Sequence, residues 1–245
     1  MIMQKGDFVK VSYVGRLETG EIFDLTDAEV AKKEGIYSPR IAYGDLPVIV
    51  GANFMIKGLD KALLNLNVGE KKEIEVSPDE GFGERDAKLV RTVPRKFFRD
   101  QNVEPRQGLI VDFGGTKGRI QSASGGRIMV DFNNPLAGRT LKYTVEVKEK
   151  TEKPEEQVRS VFEFFGVRDV EPKIDAGKLS VNIKLPGQLK ERISSLIIEY
   201  VKGIEKVEFV ESYEKRKDDH AGHAHDDSQE GHDHSHEGHS HDHSH

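Results

Sequence analysis

Alternation of apolar and polar residues opens the chain. DFVKVSYVGR (7–16) places Phe8, Val9, Val11 and Tyr13 in a pattern that predicts a β-strand. Glu18 to Glu21 reads as a turn, after which Ile22 and Phe23 resume a strand. Residues 25–45 are polar and irregular, broken by Gly35, Ser38, Pro39, Gly44 and Asp45, and predict a long surface loop. A short strand follows at 47–50. IKGLDKALLNL (56–66) spaces Ile56, Leu59, Leu63 and Leu66 at helical intervals. KKEIEV returns to strand, and DEGFGERD is a glycine-broken loop.

Residues 87–137 change character. Pro94 and Pro105 punctuate the start. GLIVDF and GRIMVDF are strand-like, and Gly114, Gly115 and Gly118 between them predict hairpin turns. TLKYTVEVKE (140–149) alternates again through Leu141, Tyr143, Val145 and Val147. The charged stretch EKTEKP (149–154) predicts a linker. Beyond it the pattern is α-β-β-α-β. Pro154 suits the first turn of a helix whose apolar stripe is Val158, Val161, Phe162 and Phe165. Strands at 168–174 and 178–185 flank Asp175-Ala176-Gly177. A helix over 188–202 carries Leu189, Ile193, Leu196, Ile197 and Tyr200, and KVEFVES closes the unit. The fold class this predicts is α+β. The last unit, 151–217, gathers no catalytic residue types and reads as a docking or dimerisation domain, with a homodimer as the expected partner state.

Composition narrows the chemistry. The 245 residues are ample for more than one domain, and with 36% hydrophobic residues most of the chain can bury a core. There is no cysteine, which excludes disulfides, zinc–thiolate sites and a cysteine nucleophile. The net charge of −6 is uneven: residues 218–245 hold eight acids and no Lys or Arg. The first 217 residues therefore carry 37 basic against 35 acidic side chains, which gives no electrostatic case for nucleic acid. No apolar run approaches the ~18 residues of a membrane span. The start, MIMQKGDFVKV, lacks the apolar stretch of a secretory signal, so the expected location is cytoplasmic.

All ten histidines lie in the tail: His220, His223, His225, His232, His234, His236, His239, His241, His243 and His245. A Ser-His-Asp triad, a histidine base and a HExxH site are thereby excluded from the rest of the chain. The tail's composition does not support independent folding. Its His-x-His repeats suit Ni, Zn, Cu or Co ions. No two histidines are adjacent, unlike a purification tag.

Three segments carry a family resemblance. VSYVGRLETGEIFD (11–24), VIVGANFMIKGLDKAL (48–63) and VGEKKEIEVSPDEGFG (68–83) resemble, in order and spacing, the FKBP-type peptidyl-prolyl isomerases. LKYTVEV (141–147) is similar to that fold's closing strand. The block between GFG and LKYTVEV, with the histidine-rich tail, is similar to the SlyD-like branch and to long archaeal members. The resemblance implies a twisted antiparallel sheet around one short helix, with an apolar pocket between them. It implies an isomerase domain over 1–86 and 138–150, an inserted flap domain over 87–137 that binds unfolded chains, and extra segments at 151–217 and 218–245. By position, the pocket would be Tyr13, Phe23, Asp24, Met55, Ile56, Leu59, Phe82 and Tyr143, with Leu46 and Val48 contacting substrate. Leu59 stands where many members have tryptophan. Phe82 stands where a tyrosine hydroxyl usually meets the ligand carbonyl, so this chain lacks that donor.

The residue types fit the chemistry. Amide resonance opposes peptide rotation by ~18–20 kcal/mol. An uncatalysed X-Pro bond turns over in about tens of seconds or more. The twisted transition state has lost resonance and its carbonyl is less polar, so a dry aromatic pocket favours it over the planar ground state. A preference of about 4–5 kcal/mol gives roughly 10³–10⁴-fold acceleration. No nucleophile, metal or cofactor is required. The N–H of Ile56, at a helix start, is free to hold a carbonyl. Asp24, the one acid of the set, is placed to accept a hydrogen bond and organise the pocket. The expected partners are unfolded or nascent polypeptides with X-Pro bonds. Two other readings compete: a holdase with a vestigial pocket, which Phe82 favours, and a nickel or zinc metallochaperone. A third motif, GLIVDFGGTKGR (108–119), looks like a kinase phosphate loop. It lacks the companion glycine loop, strand lysine and His-Arg-Asp loop, and it sits too late in the chain.

Overall fold

The computed structural model describes residues 2–124 and 126–211. The described chain forms three sheets, each with its own buried cluster.

The first sheet is antiparallel. Its strands are β1 (Phe8–Leu17), β2 (Ile22–Leu25), β3 (Leu46–Ile49), β4 (Lys71–Val76) and β9 (Leu141–Thr151). The order is β2-β1-β9-β4, with β3 also paired to β1. The short helix α2 (Lys57–Leu63) lies on one face. The helical spacing read from the sequence puts Leu59, Leu63 and Leu66 into the core under the sheet, against Val9, Val11, Val145 and Val147. Lys57 and Lys61 of the helix stay exposed, so the apolar stripe is what packs under the sheet.

Residues 25–45 are not all loop. Helix α1 (Ala28–Lys33) forms there, started by Asp27, whose side chain accepts from the N–H groups of Glu29 and Val30. Only Ala31 of this helix is buried, which is why no apolar stripe announces it.

The second sheet, of four antiparallel strands, lies within 87–137. Its strands are β5 (Val90–Pro94), β6 (Ile110–Asp112), β7 (Lys117–Ser124) and β8 (Arg127–Asp131), ordered β5-β8-β7-β6. Helix α3 (Arg95–Asp100) delivers Phe97 and Phe98 to its core, where Phe97 stacks on Phe113 at 4.9 Å. Gly114 and Gly115 turn with positive φ, as expected of hairpin glycines. Gly118 does not. It sits inside β7, and a Cβ there would lie 2.5 Å from Val130 Cγ1 and 2.9 Å from Phe132 Cε1. Its role is to let two core side chains close over the strand.

The third sheet, β10-β11-β12, comprises β10 (Lys173–Asp175), β11 (Lys178–Asn182) and β12 (Lys206–Val210). β11 and β12 are parallel, joined through α5 (Gly187–Tyr200), and α4 (Pro154–Phe164) completes the α-β-β-α-β order. Pro154 occupies the first turn of α4. The expected linker over 149–154 is corrected: β9 pairs with β1 as far as Thr151, which is buried, and α4 begins three residues later. Phe8 and Ile49 of the first sheet join the third sheet's core with Val158, Phe162 and Ile197. Alternation along β3 explains the division: Val48 points into the first core while its neighbour Ile49 serves the second.

Candidate active site

A cleft of about 360 Å³ opens beside the N-terminal end of α2. Its walls are Tyr13, Asp24, Leu46, Asn53, Phe54, Met55, Ile56, Leu59, Phe82 and Tyr143. Strands supply one side. Tyr13 comes from β1, Asp24 from β2, Tyr143 from β9 and Leu46 from the start of β3. Leu59 of α2 lies under the cleft, and the segments 53–56 and around Phe82 supply the rest.

The strand side is organised around Gly15, which pairs with Asp24 on one neighbour and Tyr143 on the other. A Cβ at position 15 would stand 2.7 Å from Phe23 Cζ and 2.9 Å from Tyr143 Cε1. Glycine therefore lets both rings close over the strand. Phe23 meets Tyr143 edge-on at 5.5 Å, and Tyr13 meets Tyr143 at 6.0 Å.

Tyr13 Oη donates to Asp24 Oδ2 at 2.9 Å. Burial, and then the Asp24 charge and this hydrogen bond, push the Tyr13 phenol far above its ordinary range. Burial and then Asp24 do the same to Tyr143. Both phenols stay protonated at neutral pH, and Asp24, at the exposed rim, is the site's charge.

The loop side is held by a residue the sequence reading passed over. Asp60, in the first turn of α2 and 7% exposed, accepts from Gly51 N at 2.8 Å and Asn53 N at 3.2 Å. These bonds fasten the segment 51–53, in which Asn53 adopts a positive φ of 58°. Phe54, Met55 and Ile56 follow directly, so the cleft wall is anchored to its own helix. Ile56 is the residue before α2, and its N–H has no intrahelical partner.

Eight of the ten expected residues line the cleft. Phe23 stands behind the wall, against Tyr143, and Val48 is not at the cleft. Val48 is 2% exposed and packed in the core, because β3 is covered on both faces. Asn53 and Phe54 line the cleft but were not expected there. The motif GANFMIKG contains them, yet loop residues give no period that says which of them turn inward. At position 82 the phenylalanine offers no hydroxyl.

Among the described residues no group of three His, Asp or Glu side chains could hold a metal ion. The ten tail histidines proposed as ligands lie outside the described residues.

A family model for FKBP-type peptidyl-prolyl cis-trans isomerase matches residues 2–148. The chain belongs to that family and is an enzyme of the peptidyl-prolyl cis-trans isomerase class. It is 34% identical over 148 residues to a short-type peptidyl-prolyl cis-trans isomerase of Methanocaldococcus jannaschii, covering 60% of this chain and 94% of that one. It is 35% identical over 129 residues to SlyD of Helicobacter pylori, covering 50% and 68%. It is 31% identical over 150 residues to SlyD of Haemophilus influenzae, covering 60% and 72%. Enzymes of this family act on proline-containing polypeptides and need no cofactor for isomerisation. No helix among the described residues is long and apolar enough to cross a membrane.

Proposed function

We propose that the cleft catalyses rotation about X-Pro bonds of folding polypeptides by removing the amide from water. The proline ring enters between Tyr13 and Tyr143 on the strand side, with Phe23 backing Tyr143, and Met55, Leu59 and Phe82 opposite. The Ile56 N–H holds a substrate carbonyl. No bond is made or broken. As the amide twists it loses resonance and polarity, and the apolar wall then suits it better than the planar form. Asp24, hydrogen-bonded to the Tyr13 hydroxyl, keeps the Tyr13 ring in place and sets a negative charge beside the twisting bond. The observation that supports this most is the convergence of one free helix-start N–H and one tethered carboxylate on a cleft walled largely by aromatic and aliphatic side chains. Acceleration of a proline-limited refolding reaction tests it. A vestigial pocket would leave that phase unchanged.

Three further assignments belong to this reading. Residues 1–86 and 138–150 are the isomerase domain, with the polypeptide-binding flap inserted over 87–137. Of the flap's apolar residues, Phe97, Phe98, Val103 and Ile128 serve its core. Leu109, Ile110 and Met129 are 39%, 51% and 42% exposed and are available to unfolded chains, Leu109 and Ile110 at the edge strand β6 and Met129 on the sheet's face. Residues 151–217 dock the isomerase or pair with a second copy through exposed Ile198 and Val210. The tail 218–245 binds nickel, zinc, copper or cobalt through its histidines, and the protein acts in the cytoplasm.

A further inference from the structure

A cavity of about 370 Å³ lies where the chain crosses into and out of the four-stranded sheet. Arg85 and Arg139 on the crossing segments, and Lys117, Arg119 and Ile110 on β7 and β6, form much of its wall. Asp131 is the one carboxylate of the lining, so the cavity is strongly cationic. That carboxylate is already engaged. It accepts from Arg85, from Gln121 Nε2 at 3.2 Å, and from the backbone and side-chain nitrogens of Asn133 at 3.0 and 2.7 Å. Burial pushes its pKa up, but the Asn133 bonds and the Arg85 charge together pull it lower, so it remains ionised.

The other cations are not neutralised. Among the described residues, Lys117, Arg119 and Arg139 have no carboxylate within 4.0 Å. Asp112 pairs in register with Lys117, but its side chain accepts from Gly115 N at 2.8 Å in the turn. The charge is also regional. Residues 87–137 hold nine Lys and Arg against four Asp and Glu, whereas the first 217 residues are nearly balanced at 37 against 35. The inserted sheet thus carries the excess positive charge of the body. Ile110 lies on the same wall, half-exposed.

We infer that this cavity docks acidic, extended segments of the polypeptide client, pairing their carboxylates with Lys117, Arg119 and Arg139 while a neighbouring apolar side chain lies on Ile110. The inference rests on reading 87–137 as a client-binding module and specifies which clients it takes. Charge complementarity at an exposed site contributes mainly to selection and capture, and salt screens it.

Direct binding by the full chain tests it, using fluorescent twelve-residue peptides without proline. One peptide interleaves Glu with Leu and Phe; its counterparts carry Gln or Lys instead of Glu. The Glu peptide is expected to bind about tenfold tighter than the Gln peptide at low salt, equal to ~1.4 kcal/mol. The Lys peptide is expected to bind weakest, and the differences to shrink as salt rises. Lys117→Glu with Arg139→Glu is expected to reverse the order. Lys117→Gln with Arg139→Gln, a milder change to exposed side chains, is expected to level it. Equal binding of the three peptides, or an order the variants leave alone, overturns the charge inference and leaves the module reading standing. Absence of binding by every peptide overturns both. Equal capture of a thymidine oligonucleotide, which offers charge without the apolar side chain, also overturns the assignment to polypeptide.

Discussion

The ring of Phe54, in the wall of the candidate cleft, packs on the ring of Phe164 at the end of α4, with centroids 4.3 Å apart and planes tilted by 57°. The α-β-β-α-β unit therefore reaches the back of the cleft wall. Phe164→Ala is expected to destabilise the protein by about 1–3 kcal/mol through lost packing. Because the segment 53–56 then loosens, kcat/KM for an X-Ala-Pro-Phe tetrapeptide is expected to fall about three- to tenfold, and Phe164→Leu to recover most of it. Unchanged kcat/KM in a destabilised Phe164→Ala protein would confine that unit to a role away from catalysis.

Gly15→Ala tests the close approach of the rings. A methyl group there collides with Phe23 and Tyr143 at once, and moving either ring aside disturbs their edge-on contact. Overpacking of this kind costs about 1–3 kcal/mol. Isomerisation of the tetrapeptide is expected to drop at least about tenfold, roughly the effect of ~1.4 kcal/mol in the barrier. Full activity would mean that Phe23 and Tyr143 do not shape the site.

These elements differ in how far the sequence revealed them. Alternation in β1 and β9, and the spacing of Leu59, Leu63 and Leu66, follow from burial on one face, which leaves a period. Helix α1 buries one alanine and leaves none. Helix α3, at RKFFRD, is a single short turn-and-a-half whose adjacent phenylalanines fit strand or helix equally. Asp60 looked like a polar position on an amphipathic helix, and its hydrogen bonds to Gly51 and Asn53 depend on a loop conformation that no pattern encodes. Val48 points into the first sheet's core, short of the cleft, and alternation along β3 says which face it takes but not how far along that face the cleft opens.

The tyrosines predict an alkaline limit. Below the ordinary phenol value of 10.0, the folded and unfolded chains both keep Tyr13 and Tyr143 protonated, and their contribution is complete. Above it the unfolded chain sheds protons that the folded chain retains, so stability falls as pH rises towards the raised folded values. The urea midpoint is expected to decline from pH 10 upward. Tyr13→Phe and Tyr143→Phe should each flatten that decline, and a decline identical in both variants would place its cause elsewhere.

Replacing 87–137 by a short loop is expected to leave a folded isomerase. The crossing segments lie side by side, with Gly138 N donating to Gly83 O at 2.8 Å, so a short connection bridges them. Catalysis of a refolding protein should fall far more than catalysis of a tetrapeptide, because a second site raises the effective concentration of an unfolded chain. Equal losses on the two substrates would make the inserted sheet structural only.

Deleting 218–245 is expected to remove most Ni²⁺ and Zn²⁺ binding while tetrapeptide isomerisation in metal-free buffer persists. Binding to the full chain should weaken as pH falls through about 6.5, since the ligands are neutral imidazoles. Calorimetry at pH 7.5 and 5.5 on both forms reads this out. Undiminished binding after truncation would move the sites to carboxylates of the body.

The central claim is that the cleft bounded by Tyr13, Asp24 and Tyr143, with Phe23 behind Tyr143, lowers the X-Pro barrier. Its most direct measurement is kcat/KM on an Ala-Pro tetrapeptide for Phe23→Ala and Asp24→Ala, with circular dichroism confirming the native fold of each. Both variants are expected to lose about tenfold or more, since one removes the wall's carboxylate and the other the ring that holds Tyr143 in the wall. Full kcat/KM in both folded variants would contradict the account and move the catalytic site elsewhere.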